Sequence, residues 1–414
     1  MIMSRELAAA VRNYRRRAGL TQEGLAAASG LSPSVVCKVE QGGEVRVDTL
    51  HALARGLGVP TSALFTTEAL EPVVGDEANQ RYLVELRREL MPPVGLSGRR
   101  VSEVAEPPDL PAVSREVDIG YSLHRAGRYG GLAKKLPGLL HATAAAAELL
   151  KDEEQERVVE VRSRALLLAG SYLTQVRQYD LAYHALAEGI RTAREAEMTF
   201  VAAMGVSTMC WLLLRQDRFD ESEQLAAATA LAVEPKFSAA SPDQLAVWGD
   251  LSLRMAAAAV RNNRPDVARE ARRMASTAAG ALGTEYTDNK YRRSTFGPVT
   301  AEMKAVEDLS VLGDARGVLC RSDDGLLSSG SVSHYGRPSP AGWNRHRLDV
   351  AKAHAALGSH QEAMDELTAL RRTSPEWLRH QTMARHVMSD ILRRRKRTLT
   401  RDMREMAAHL AVVG

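Results

Sequence analysis

Ser34 and Lys38 stand four residues apart within TQEGLAAASGLSPSVVCKVEQGG, residues 21–43, a spacing that puts both on one side of a helix. A lysine can donate to the O6 and N7 of guanine, and a small serine lets a helix come close to a base edge. An ordinary solvated face is the plainer reading of the same two residues. The elements that would position them are legible. Thr21 is suited to capping a helix, Leu25 and Ala26 face inward one turn later, and Ser29-Gly30 ends that helix with a residue that tolerates positive φ. Leu31 plugs the turn, Ser32 caps a second helix, Pro33 takes its first position, and Val35, Val36 and Val39 give it an apolar side.

This pattern resembles the lambda-repressor/Cro-like (XRE) helix-turn-helix family over about Arg5 to Phe65. The motifs are Gly19-Leu20-Thr21-Gln22, Leu25-Ala26, Gly30-Leu31-Ser32, Val39-Glu40-x-Gly42 and Leu50-x-x-Leu53-Ala54-x-x-Leu57-Gly58-Val59. The resemblance implies a five-helix domain over residues 1–67 that reads double-stranded DNA. Gln22 would anchor a phosphate, while Ser32, Pro33, Ser34, Lys38 and Arg46 would line the DNA face. Arg15 and Glu40 match an internal ion pair. Gly24 departs from the pattern, which has a glutamate there to complete a capping box with Thr21.

The chain is long enough, at 414 residues, for two or more domains. Aromatics make up only 5%, and the abundance of alanine, leucine and arginine points to an all-α protein. Net charge is +4, distributed as +3 over residues 1–66, +8 over 371–404 and −7 over the remainder, so basic ends flank an acidic middle. Cys37, Cys210 and Cys320 have no CxxC or His-spaced companion, so neither a metal site nor a disulfide framework is expected, and a reducing cytoplasm suits them. No apolar run approaches the ~20 residues of a membrane span, and no signal peptide is evident. There is no P-loop, GxSxG, HExxH or GxGxxG, so neither an enzyme nor a cofactor is expected; the pairs Asp323-Asp324 and Glu153-Glu154 read as loop and polar helix face.

Along the chain, Ser4 to Ala18 reads as a first helix whose Arg12, Arg15, Arg16 and Arg17 form a basic face that could meet a DNA backbone. Asp76 to Leu90 reads as an amphipathic helix, and the Pro- and Gly-rich Met91 to Pro111 as the interdomain linker, so that 68–112 connects two domains. From Val113 six segments each carry a helix, a short turn and a second helix, with turns from Gly127-Arg128-Tyr129 to Ser359-His360-Gln361. They resemble the tetratricopeptide repeat, best at Leu166, Ala169-Gly170, Leu173, Tyr179, Ala182 and Leu186. The resemblance implies an α-solenoid over 113–374 with a concave groove.

The groove-lining positions carried over from the repeat family fall on Tyr121, His124, Arg164, Ser171, Ser207, Trp211, Arg215, Asp250, Arg261, Arg345 and Lys352. Such a basic, partly aromatic groove would suit an acidic ligand or a peptide C-terminus. The alternative is that these arginines pair with acids of the same body. Arg321 to Gly342 reads as an exposed loop. Residues 375–414 read as one capping helix, from Pro375 through Leu392, that runs into a basic tail. A reader domain joined to such repeats is similar to RRNPP-type regulators: homodimers on a palindromic operator, controlled by a signalling peptide or small ligand. An interaction scaffold with a protein partner is the rival expectation.

Overall fold

The computed structural model describes residues 4–17, 20–43, 45–57, 59, 61, 64, 77–93, 107–150, 154–287, 295–394 and 399–412. The chain divides into two compact units, Met1–Val74 with Leu213–Phe219, and Gly75–Leu212 with Asp220–Gly414. The N-terminal unit contains α1 (Ser4–Arg17), α2 (Gln22–Ser29), α3 (Pro33–Glu40) and α4 (Val47–Gly56). Their apolar faces meet in one core of Leu7, Val11, Leu25, Ala26, Val36, Val39, Leu50, Leu53 and Leu64. The expected fifth helix, Thr61 to Phe65, lies mostly outside the described residues.

The rest of the chain is a body of helices: α5 (Glu77–Leu90), α6 (Leu110–Arg125), α7 (Tyr129–Leu149), α8 (Gln155–Gln175), α9 (Tyr179–Glu195), α10 (Thr199–Arg215), α11 (Phe219–Ala232), α12 (Pro242–Arg261) and α13 (Pro265–Leu282). After an antiparallel hairpin of two-residue strands, β1 (Tyr286–Thr287) with β2 (Thr295–Phe296), come α14 (Pro298–Leu312), α15 (Ala315–Arg321), α16 (Ser329–Tyr335), α17 (Pro340–Leu357) and α18 (His360–Thr373). Last are α19 (Pro375–Arg379), α20 (Thr382–Arg394) and α21 (Arg401–Leu410). The six expected turns all occur, and each helix connection contains a residue at positive φ: Gly127, Arg177, Asp217, Asn263, Gly313 and Gly358. A left-handed residue just past a helix reverses the chain within three residues, which makes each pair a helical hairpin.

Four features depart from the sequence reading. Helix α5 belongs to the body: Leu86 is fully buried and the Leu90 carbonyl accepts from Nε2 of His184 at 2.9 Å. The Pro-rich stretch after it therefore does not separate the reader from the body. Residues 321–342 are folded into a 3-10 turn at Gly325–Leu327 and α16, because Asp324 and Ser328, which look like loop residues, cap them. Leu327, Val332 and Tyr335 join the core of Val299, Met303 and Val318. The expected single helix from Pro375 through Leu392 is two, broken at His380-Gln381, where the Gln381 side chain turns back to the Trp377 carbonyl at 3.1 Å, and the expected tail carries a further helix, α21. Of the basic run, residues 395–397 lie outside the described residues.

The fourth departure concerns the stack itself, whose last helices pack back on its first. The Gly130 amide donates to Oε2 of Glu376 at 2.9 Å, the rings of Tyr129 and His380 meet edge-on at 5.8 Å, and Arg177 donates to the Thr382 hydroxyl.

Candidate nucleic-acid interface

Helix α2 starts at Thr21, whose Oγ1 accepts from the Gly24 amide at 2.9 Å, and stops at Gly30, in the left-handed region at φ 64. The Leu31 amide then reaches the Ala26 carbonyl at 2.9 Å, closing the turn and driving Leu31 toward the core. Ser32 has the extended backbone of a cap, but its hydroxyl is 2.9 Å from that of Ser34 instead of bonding the helix. Pro33 fills the first position of α3 without an amide to satisfy. Helix α3 ends at Glu40, and Gly42, two residues on, is again at positive φ.

One face of α3 is fastened from within. Glu40 is 3% exposed and accepts from Arg15 Nε at 2.6 Å, Arg15 Nη2 at 3.0 Å and Gln22 Nε2 at 2.7 Å. Arg12 adds a bond from Nη2 to the Glu40 carbonyl at 2.5 Å. Burial pushes the Glu40 carboxyl up, but the bonds from Arg15 and Gln22 and the charges of Arg15 and Arg12 outweigh it, so the pKa falls below the ordinary 4.5. The expected Arg15–Glu40 pair is thus a junction of α1, α2 and α3. Of the expected basic face, Arg15 turns inward, while Arg12 stays exposed as its guanidinium reaches the Glu40 carbonyl; the side chains of Arg16 and Arg17 lie outside the described residues.

The opposite face of α3 is open. Ser32, Pro33, Ser34 and Lys38 are exposed, as is Arg46 at the cap of α4, whose Nε lies 3.7 Å from Asp48. Gln22 differs from the expectation in one respect. One of its two amide hydrogens is spent on Glu40, which leaves the other for a phosphate. What sequence reasoning missed is Arg12; its spacing of three from Arg15 places both on one helical face and was the available signal. Replacing Gly24 with alanine should raise the melting midpoint of the reader by the equivalent of up to ~1 kcal/mol. A Cβ there would sit 3.3 Å from Thr21 Oγ1, tight enough that a fall in the midpoint would show the cap cannot give way.

The eleven groove positions of the body separate into distinct settings, Ser207 donating to Asp250. Tyr121 is buried with its hydroxyl donating to the Arg164 carbonyl at 3.0 Å, and Arg164 stacks over its ring at 5.9 Å while pairing with Asp118. His124 meets the Tyr129 ring at 5.8 Å, and Ser171 donates to the Leu167 carbonyl at 2.9 Å. Trp211 and Arg215 are half-buried on α10. Arg261, Arg345 and Lys352 do come together. Glu307 lies 3.2 Å from Arg261 and 3.6 Å from Arg345, Asp349 lies 3.3 Å from Arg345, and Lys352 donates to the Ser310 carbonyl at 2.7 Å. Against the burial that would raise it, Lys304, Arg345 and Arg261 hold the Glu307 carboxyl well below the usual range. These cations are neutralised by acids of the same body.

No helix among the described residues is long and apolar enough to cross a membrane. Compared with known proteins, neither a curated protein nor a solved structure matches the chain. A family model described as a helix-turn-helix domain matches residues 6–64, the stretch whose buried Glu40 junction and open α3 face are described above. The N-terminal unit therefore carries a helix-turn-helix domain, which supports a DNA-binding regulator.

Proposed function

We propose that the protein is a sequence-specific, XRE-type transcriptional regulator that binds a palindromic operator as a homodimer in the cytoplasm. Its tetratricopeptide-like body takes a signalling ligand that changes DNA affinity. The observation that carries the reading is the two-sided character of α3: Glu40 is pinned inside, while Ser34 and Lys38 project from the exposed side. A helix held this way can enter a major groove without rearrangement, with Arg46 and the free amide hydrogen of Gln22 at the phosphates. Replacing Ser34 and Lys38 together with alanine should abolish sequence preference, at ~1–3 kcal/mol per lost base contact, and leave weak, salt-dependent binding. A footprint unchanged in that variant would remove α3 from the recognition role.

A second reading is favoured by the internal pairing of Arg164, Arg261 and Arg345 with Asp118, Glu307 and Asp349. A body whose cations are already neutralised suits a protein partner better than a small acid, and makes the chain a scaffold that DNA addresses. Operator affinity titrated with acidic peptides separates the two: a shift supports the ligand switch, and constant affinity supports the scaffold.

A further inference from the structure

Where the last helices meet the first repeats, two arginines have, among the described residues, no carboxylate partner of the kind that arginines have elsewhere in the body. Arg272 holds Asp308 through two bonds of 2.6 Å, Arg345 faces Asp349, and Arg347 faces Glu366. Arg385, on α20, is equally enclosed at 9% exposure, yet its Nη2 donates only to the Arg379 carbonyl at 3.3 Å and its Nε has no hydrogen-bond partner. Arg177 reaches over from the turn between α8 and α9 and spends its Nη2 on the Thr382 hydroxyl. Among the described residues neither arginine pairs with a carboxylate.

Thr382 opens α20 and Arg385 lies one turn on, so the two guanidiniums bracket the first turn of that helix. The leading amides of a helix have no intrahelical acceptor and carry the positive end of its dipole. His380 closes another side, with its ring edge against Tyr129. Burial, then the charges of Arg177, Arg379 and Arg385, push its pKa down to about 4. Glu376, an acid of this seam, accepts from the Gly130 amide.

We propose that this seam is an anion site in which Arg177, Arg385 and the first turn of α20 take a compact oxyanion group, phosphate or carboxylate, of a small ligand. The bound anion clamps the last helices onto the first repeats. The two guanidiniums repel each other while only neutral groups accept from them, and an oxyanion supplies both the missing charge and an acceptor for the free Nε. None of its residues is among the groove positions taken from the repeat resemblance, and it stands whether or not the DNA-binding reading does.

The test is thermal unfolding of the full chain in phosphate, acetate and chloride at matched ionic strength, since an anion that binds only the folded state raises the midpoint by mass action. The midpoint should rise saturably with phosphate or acetate over chloride, and the rise should vanish in Arg385→Gln and Arg177→Gln. It should persist in Arg273→Gln, an exposed control on α13. A rise with phosphate alone identifies a phosphate ligand, and one with acetate alone a carboxylate. Equal midpoints in all three salts, or a response that survives Arg385→Gln, would overturn the site. If the variants do not fold, the His380 imidazole resonance of the wild-type chain decides it: movement on anion titration supports the site, and a stationary signal overturns it.

Discussion

Glu40→Ala should lower the stability of the helix-turn-helix domain by ~3–5 kcal/mol, because it removes one partner of a buried pair and strands the other. Arg15 would keep its bond to the Leu20 carbonyl at 2.9 Å but lose both bonds to the carboxylate, and Gln22 would lose its acceptor. Three helices meet at this carboxylate, so the loss should spread to the whole recognition unit. Hydrogen exchange on the full chain is the appropriate reading: amides of α2 and α3 should exchange about two to four decades faster, with the body's amides unchanged. Unaltered protection in α3 would show that the junction is dispensable.

The pH dependence follows from the same group. Its folded pKa lies below the ordinary 4.5, so its contribution is fully present above that value and is lost as pH falls through the folded pKa. The wild-type reader should therefore lose protection in acid below about pH 4.5, and Glu40→Ala should lack that component.

Phe296→Ala should cost the body a comparable ~3–5 kcal/mol. Phe296 closes the hairpin opposite Tyr286, is 2% exposed, and packs among Trp248, Leu251, Ala275 and Ala279. Its ring lies against Gly249 of α12, where any Cβ would overlap it. The two residues therefore form a matched contact, and Gly249→Ala should destabilise in the same direction. Tyr286 holds the hairpin to α12 through a bond from its hydroxyl to Asp243 at 2.8 Å. Chemical denaturation of the full chain should show a lower midpoint for the body in either variant. A midpoint equal to wild type would mean that the hairpin is an ornament on the surface of the stack.

These two residues also mark the limit of what could be read in advance. The helix-turn-helix was legible because its constraints are local: a cap at Thr21, a left-handed residue at Gly30, Pro33 at a helix start, and valines at helical spacing. The six hairpin turns of the body were legible for the same reason, although three of them place Arg177, Asp217 and Asn263 in the left-handed region where glycine would have been the clearer sign. Phe296, by contrast, sits in a segment whose only long-range cue is a glycine 47 residues earlier, and nothing local couples the two.

The amino-acid sequence by itself determined the helical class, the reader and the outward placement of Ser34 and Lys38, since periodicity and caps act within a few residues. Which charges meet was decided only by the tertiary structure. Arg12 and Arg15 both reach Glu40, Arg261 and Arg345 share Glu307, and Arg177 comes to Thr382 and the first turn of α20 across 205 residues. Arginine is long, and a helical position fixes only the direction in which it leaves the backbone. Its partner depends on which helix packs alongside, and Ala-rich helices carry too little shape to announce that in sequence.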